Sequence, residues 1–331
     1  MRQRLSLDEY TKGIRSGDRV ILSRAITVIE SQHDEDRELS KLLLHNILPN
    51  TGNSFRIGIT GVPGVGKSTF IESFGTYITG KGKKLAVLTV DPSSKKTGGS
   101  ILGDKTRMEK LSRDPDAFIR PSASNLALGG VARNTREAML LCEAAGFEII
   151  IVETVGVGQS DTIVKGMTDF FLLLMLAGAG DELQGIKKGI MEMADTIAIN
   201  KADGANKAIA DLAVQEYSNA IHLFPRSESG FTPKVVTCSA LDNTGIDDIW
   251  QIILDYQKHS SANGYFNKNR QGQNLEWMYD SLKQALENSF FESDAVVKNL
   301  EKIEKYVAEG KELPIYAAEK LVEMFLRSDK E

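Results

Sequence analysis

Apolar residues in the first part of the chain recur at helical spacing, and from residue 55 they gather into short unbroken runs. Ile14, Val20, Ile21, Ala25, Ile26 and Ile29 fall three or four apart, residues 5–10 (LSLDEY) read as a capped helix start, and a further helix spans about residues 36–48. A turn-rich stretch, PNTGN at 49–53, closes this helical prelude. Apolar runs at 55–60, 85–90, 149–152, 170–175, 196–199 and 234–237 then predict strands, separated by helical sequence. Unbroken runs of this kind belong to parallel strands buried on both faces, so the expected fold is a doubly wound, mainly parallel α/β sheet. Past residue 258, SSANG at 260–264 reads as a break, and helical patterns follow at 274–291, 294–310 and 314–327. The expected organisation is a helical segment 1–52, an α/β domain 53–260 and a helical extension 261–331, without internal repeats.

The first strand runs into Gly61, Val62, Pro63, Gly64, Val65, Gly66, Lys67, Ser68 and Thr69, with helix-forming sequence behind. This is G-x-x-x-x-G-K-[ST] between a strand and a helix, a phosphate-binding loop of the P-loop NTPase kind. Glycines let the backbone approach phosphate oxygens without a Cβ, and the new helix aims unpaired amides at them. Lys67 is then placed to reach the β- and γ-phosphates of a nucleoside triphosphate, and the Ser68 hydroxyl to ligate Mg²⁺.

In doubly wound sheets ligands sit beyond the carboxyl ends of the strands, so the residues after each strand read as one site. Asp91 and Asp104, in DPSSKKTGGSILGD, supply hard oxygen ligands suited to Mg²⁺ within a glycine-containing stretch suited to nucleotide sensing. Alone, either could be a cap or a solvated charge; the adjacent phosphate loop favours the metal reading for Asp91 and leaves both open for Asp104. Glu153 opens ETVGVGQS, where a carboxylate can orient a metal. Gln159 could orient an attacking water or simply bond to loop backbone. Asn200, Lys201 and Asp203 (NKAD) follow one strand, and Ser239, Ala240 and Leu241 follow the next. A carboxylate at Asp203 accepts from the two adjacent donors on the guanine edge, a pair adenine lacks. The Lys201 stem would lie against the base, Asn200 would tie the loop, and the Ala240 amide would meet the guanine oxygen. The nucleotide implied is GTP, with GDP as product.

Composition narrows the setting. The 331 residues carry 40 Lys and Arg against 45 Asp and Glu, a net −5 that gives no reason to expect a nucleic acid or an anionic membrane as partner. The longest apolar run, 170–177, falls far short of the roughly 20 residues needed to span a bilayer. Cys142 and Cys238 form no CxxC and read as buried thiols of a reducing compartment, cytoplasm or an organelle matrix.

GVPGVGKST at 61–69, VDPSSKKTGGSILGDKTRM at 90–108, ETVGVGQSD at 153–161, NKAD and SAL together resemble the MeaB-type (ArgK-like) GTPases, a family with a human relative, MMAA. The resemblance covers nearly the whole chain. It implies GTP hydrolysis that gates adenosylcobalamin loading and protection of methylmalonyl-CoA mutase or a related mutase. It further implies a homodimer formed through the C-terminal extension, Mg²⁺ held by Ser68, Asp91, Asp104 and Glu153, and a partner-sensing loop at 178–188. Leu275, Trp277, Met278, Leu282, Leu286, Phe290 and Phe291 could form the dimer seam or an internal packing face. Delivery of another metal would need clustered soft or imidazole ligands, and His33, His45, His222 and His259 are scattered. A transport-associated kinase would need ATP, which NKAD disfavours. A signal-recognition-type GTPase would bring a methionine-rich helical domain, and the C-terminal helices hold only Met278 and Met324. Arg107, Arg133 and Arg136 are candidates for a transition-state cation or for ordinary solvated helix faces.

Overall fold

The computed structural model describes residues 4–31, 33–90, 108–121, 128–154, 159–178 and 188–328. These fall into two compact units, Met1–Gln273 and Asn274–Glu331.

The first unit opens with α1 (Leu7–Arg15), α2 (Arg19–Ile29) and α3 (Asp34–Ile47). The LSLDEY start is a full capping box, in which the Ser6 hydroxyl accepts from the Glu9 amide and the Glu9 carboxylate accepts from the Ser6 amide. Asp18 caps α2, accepting from the amides of Val20 and Ile21 at 2.8 and 3.0 Å. Strands and helices then alternate: β1 (Phe55–Gly61), α4 (Lys67–Gly80), β2 (Leu85–Val90), α5 (Glu109–Arg113), β3 (Ala117–Pro121), α6 (Leu128–Ala144), β4 (Ile149–Thr154), α7 (Gln159–Lys165), β5 (Phe170–Leu176), α8 (Lys188–Met193), β6 (Thr196–Asn200), α9 (Lys207–Ile221), β7 (Lys234–Thr237) and α10 (Ile246–Ala262).

All seven strands pair in parallel, in the order β3-β2-β4-β1-β5-β6-β7. The expected doubly wound sheet is therefore present, with β1 at its centre. Alternate residues of one strand enter opposite cores: Leu85 and Val87 join the layer holding Phe70, Phe74 and Trp250, whereas Ala86, Leu88 and Val90 join the layer of α1–α3 and α6. Both faces being covered explains why the strands read as unbroken apolar runs. Gly58 in β1 permits one close approach, because a Cβ there would sit 2.6 Å from the Phe171 ring and 3.0 Å from Val164 of α7.

Two elements differ from the sequence reading. Strand β3 was not expected, because AFIRP is short, carries Arg120 and ends in proline; as an edge strand it tolerates both, with Arg120 paired to Glu30 at the end of α2. SSANG lies largely inside helix. Ser260 is buried within α10, and only Asn263 and Gly264 (φ +79°) interrupt the chain before α11 (Tyr265–Glu292). Within the first unit, Arg270 donates to both oxygens of buried Asp169 (2.8 and 2.7 Å) and to the carbonyls of Gly52 and Ser54, with its guanidinium 4.5 Å from the Phe266 ring centre.

The second unit holds the rest of α11, α12 (Asp294–Ala308) and α13 (Pro314–Ser328). Val296, Ile303, Ala317 and Leu321 form its core, with Phe290 against Phe325. Leu275, Met278, Leu282, Leu286 and Phe291 are half or more exposed, whereas Phe290 packs inward. Among the described residues no helix is long and apolar enough to cross a membrane.

Candidate nucleotide site

The register of the sheet gathers the strand ends. Glu153 at the end of β4 lies level with Ile59 of β1 and Thr89 of β2, and Asn200 at the end of β6 lies level with Leu176 of β5. At the centre, β1 turns into the glycine loop. A Cβ on Gly61 would meet the Leu174 carbonyl at 2.5 Å, and Gly66, the residue before α4, has φ +93°, which an L side chain adopts only with strain. Pro63 and Gly64 are exposed, and Val62 and Val65 are buried beneath them. The Lys67 ammonium donates to the Gly61 carbonyl at 2.7 Å, folding back over the loop. Burial lowers its pKa below the ordinary lysine range, against the opposing charges of Glu153 and Asp161. Ser68 and Thr69 follow in the first turn of α4, whose amides have no partner within the helix.

NKAD and SAL meet this loop through Asn200, which is only 2% exposed. Its amide nitrogen donates to the Val65 carbonyl at 2.9 Å, and its Oδ1 accepts from the Ala240 amide at 3.2 Å and the Cys238 thiol at 3.6 Å. Lys201 sits in the left-handed region (φ +59°), which directs its ammonium to the Gly64 carbonyl at 2.8 Å. The Ser239 hydroxyl donates to Asp203 Oδ2 at 2.7 Å and accepts from the Asp242 amide at 3.1 Å. The Ser239–Thr244 bridge closes the loop, and Leu241 stands exposed on it. Thus the structure joins NKAD, SAL and the glycine loop into one continuous surface. The Ala240 amide, expected at the base oxygen, here donates to Asn200 instead.

Glu153 is 5% exposed beside this group. Gln159 is the first residue of α7, and Asp91, Asp104 and most of 178–188 lie outside the described residues. Among the described residues no group of three His, Cys, Asp or Glu side chains is placed to hold a metal. Of the arginine candidates, Arg133 pairs with Glu137 at 2.8 Å and Arg136 donates to the Gly166 carbonyl at 3.2 Å; Arg107 lies outside the described residues. Sequence reading gave no site role to Asn243 or Asp161 and did not foresee the Cys238 bond to Asn200. Asn243, also left-handed (φ +56°), accepts from the Ser73 hydroxyl of α4, and nothing in a lone NT pair announces it. Both cysteines are buried and free as expected, and burial pushes the Cys238 thiol up to about 12.

The model of one protein family, "Methylmalonyl Co-A mutase-associated GTPase MeaB", matches residues 22–295. The chain belongs to the MeaB family. GTP hydrolysis is the reaction of this family, and the P-loop geometry above is built for it. Among curated MeaB-like relatives, GTPase ArgK of Escherichia coli K12 is 49% identical over 289 residues, 87% of this chain and 87% of that protein. The Methylmalonic aciduria type A homolog, mitochondrial, of Mus musculus is 43% identical over 96% of this chain and 79% of its own length. A crystal structure described as LAO/AO transport system kinase superposes with a TM-score of 0.76 at 39% identity, covering 98% of this chain and 99% of that one.

Proposed function

We propose that this MeaB-family GTPase is a chaperone that gates adenosylcobalamin loading and protection of methylmalonyl-CoA mutase, or of a related acyl-CoA mutase. In this reading Lys67 and the amides of residues 61–69 hold the phosphates, Asp203 accepts from the guanine edge, Ser239 fixes that carboxylate, and Lys201, tied to the Gly64 carbonyl, lays its stem against the base. The observation that carries it is the double role of Asn200, which binds the phosphate loop and the SAL loop to each other and so supports reading them as a single site for base and triphosphate. The mutase as partner is supported by the family description.

The donor set fits Mg²⁺: a hydroxyl at Ser68 and a buried carboxylate at Glu153, both hard oxygen ligands, with Asp91 and Asp104 as further candidates. When bound, the ion neutralises charge developing on the phosphates. Lys67 supplies the chain's own positive charge, and Gln159, opening α7, is the candidate to orient water. With Arg133 and Arg136 engaged elsewhere, a partner-supplied cation would raise the rate by roughly 10³–10⁵. Leu275, Met278, Leu282 and Leu286, spaced three, four and four apart and exposed on α11, support homodimer formation through the extension. The buried free thiols accord with a cytoplasmic setting.

A kinase reading, prompted by the name of the related crystal structure, requires ATP. Nucleotide competition separates the two: displacement of labelled GTP by GDP but not by ADP supports the guanine site, and equal displacement removes it.

A further inference from the structure

Beneath the phosphate loop lies a buried polar chain that strand pairing does not require. Thr60, Thr154 and Asp161 are each 0% exposed. The Thr154 hydroxyl donates to Thr60 Oγ1 at 2.8 Å, and the Thr60 hydroxyl donates to the Asp161 carboxylate. A hydroxyl has one proton to give, and a carboxylate only accepts. The charge on Asp161 therefore fixes the direction of both bonds: Thr60 must donate to it, which leaves Thr60 to accept from Thr154. Valine would fill either threonine site without burying a hydroxyl, so what these side chains add is a defined geometry.

The three residues stand immediately beside the phosphate-facing positions. Thr60 precedes Gly61, whose carbonyl takes the Lys67 ammonium; Thr154 follows Glu153; Asp161 lies in the first turn of α7, two residues after Gln159. The charge of Asp161 also reaches Lys67. The far end of α7 has its own anchor, Lys165 donating to buried Asp195 at 2.7 Å.

We propose that Asp161 is a positioning residue for GTP hydrolysis: through Thr60 and Thr154 it holds the start of α7 in register with the phosphate loop and Glu153. The proposal rests on the assignment of Lys67 and Glu153 to the nucleotide site. Binding draws on the loop amides and NKAD, whereas hydrolysis needs the β1, β4 and α7 ends set together.

The test is steady-state GTP turnover and GDP affinity of the full chain for Asp161→Asn, Thr60→Val, the double variant and, as control, Lys165→Met. Misplaced reacting groups cost one to two powers of ten in rate, so Asp161→Asn and Thr60→Val each lower kcat by about 10- to 100-fold with KM and GDP affinity within about twofold. Asp161→Asn keeps an oxygen able to accept from Thr60 but also offers an NH2 and so no longer fixes the direction of the bonds, whereas Thr60→Val removes the link. The double variant is no slower than the worse single one, because both changes act on the same chain. Lys165→Met lowers the melting temperature and keeps kcat. Wild-type kcat in Asp161→Asn, an equal loss of kcat and nucleotide affinity, or an equal kcat loss in Lys165→Met would overturn the proposal. Should Asp161→Asn fail to fold, Thr60→Val and Thr154→Val, close in shape to the native side chains, decide it by the same criteria. Failure of the underlying site assignment is separately visible, as undiminished turnover in Lys67→Ala.

Discussion

Replacing Asn200 with alanine removes the tie between the glycine loop and the SAL loop. Two backbone groups lose their partners, the Val65 carbonyl at 2.9 Å and the Ala240 amide at 3.2 Å, in a pocket where Asn200 itself is 2% exposed. Each buried polar group left unpaired costs about 1–3 kcal/mol, so the pair costs roughly 2–6 kcal/mol. Expressed entirely in binding, that is between about 30-fold and 10⁴-fold in GTP affinity, and any part not seen there appears in unfolding free energy. Asn200→Asp separates the two bonds, since it keeps the acceptor for Ala240 but turns a carboxylate oxygen toward the Val65 carbonyl. That repulsion makes aspartate at least as damaging as alanine, although it is nearly the same shape. The assay is urea unfolding of the nucleotide-free protein beside GTP binding for wild type and both variants. If Asn200→Ala leaves both the unfolding midpoint and the GTP Kd unchanged, Asn200 does not join the loops energetically and the single-site argument fails.

Other expectations follow from the same geometry. Asp203→Asn, with its donor-bearing amide, should lose guanine preference and accept xanthine nucleotides; unchanged GTP selectivity in competition binding would remove Asp203 from the base site. Burial holds the Lys67 pKa down in the nucleotide-free protein, so its charge is present at low pH and lost early as pH rises, whereas bound phosphates restore it. The alkaline limb of kcat/KM for GTP should therefore fall below the ordinary lysine range while that of kcat lies higher, and coincident limbs would contradict this. Arg270→Met leaves Asp169 buried without its bidentate partner and should destabilise the protein by about 3–5 kcal/mol in chemical unfolding; a loss below about 1 kcal/mol would show that the ion pair is not held as seen.

The phosphate loop and NKAD were legible because their function dictates residue types at fixed spacing, and the central strands because both of their faces are buried. Strand β3 was not legible, since an edge strand is under no such constraint and AFIRP shows no pattern. The helix through Ser260 was missed because serine and glycine suggest a turn locally, while burial of Ser260 against the domain decides otherwise. At the site, sequence placed Asn200, Asp203 and Ser239 together but could not assign bonds among them. The Ala240 amide has two possible acceptors, a ligand oxygen or Asn200, and only packing chooses. Cys238 and Asp161 carry no spacing rule; each matters because the fold brings it under a loop far away in sequence.

The central claim is a guanine-selective P-loop site serving a mutase. It is tested most directly by GTP turnover of the purified chain, alone and with methylmalonyl-CoA mutase, using ATP as the control nucleotide. Turnover of GTP but not ATP that rises on adding the mutase is the predicted result. Equal use of ATP would contradict the guanine site, and GTP turnover indifferent to the mutase would contradict the chaperone role.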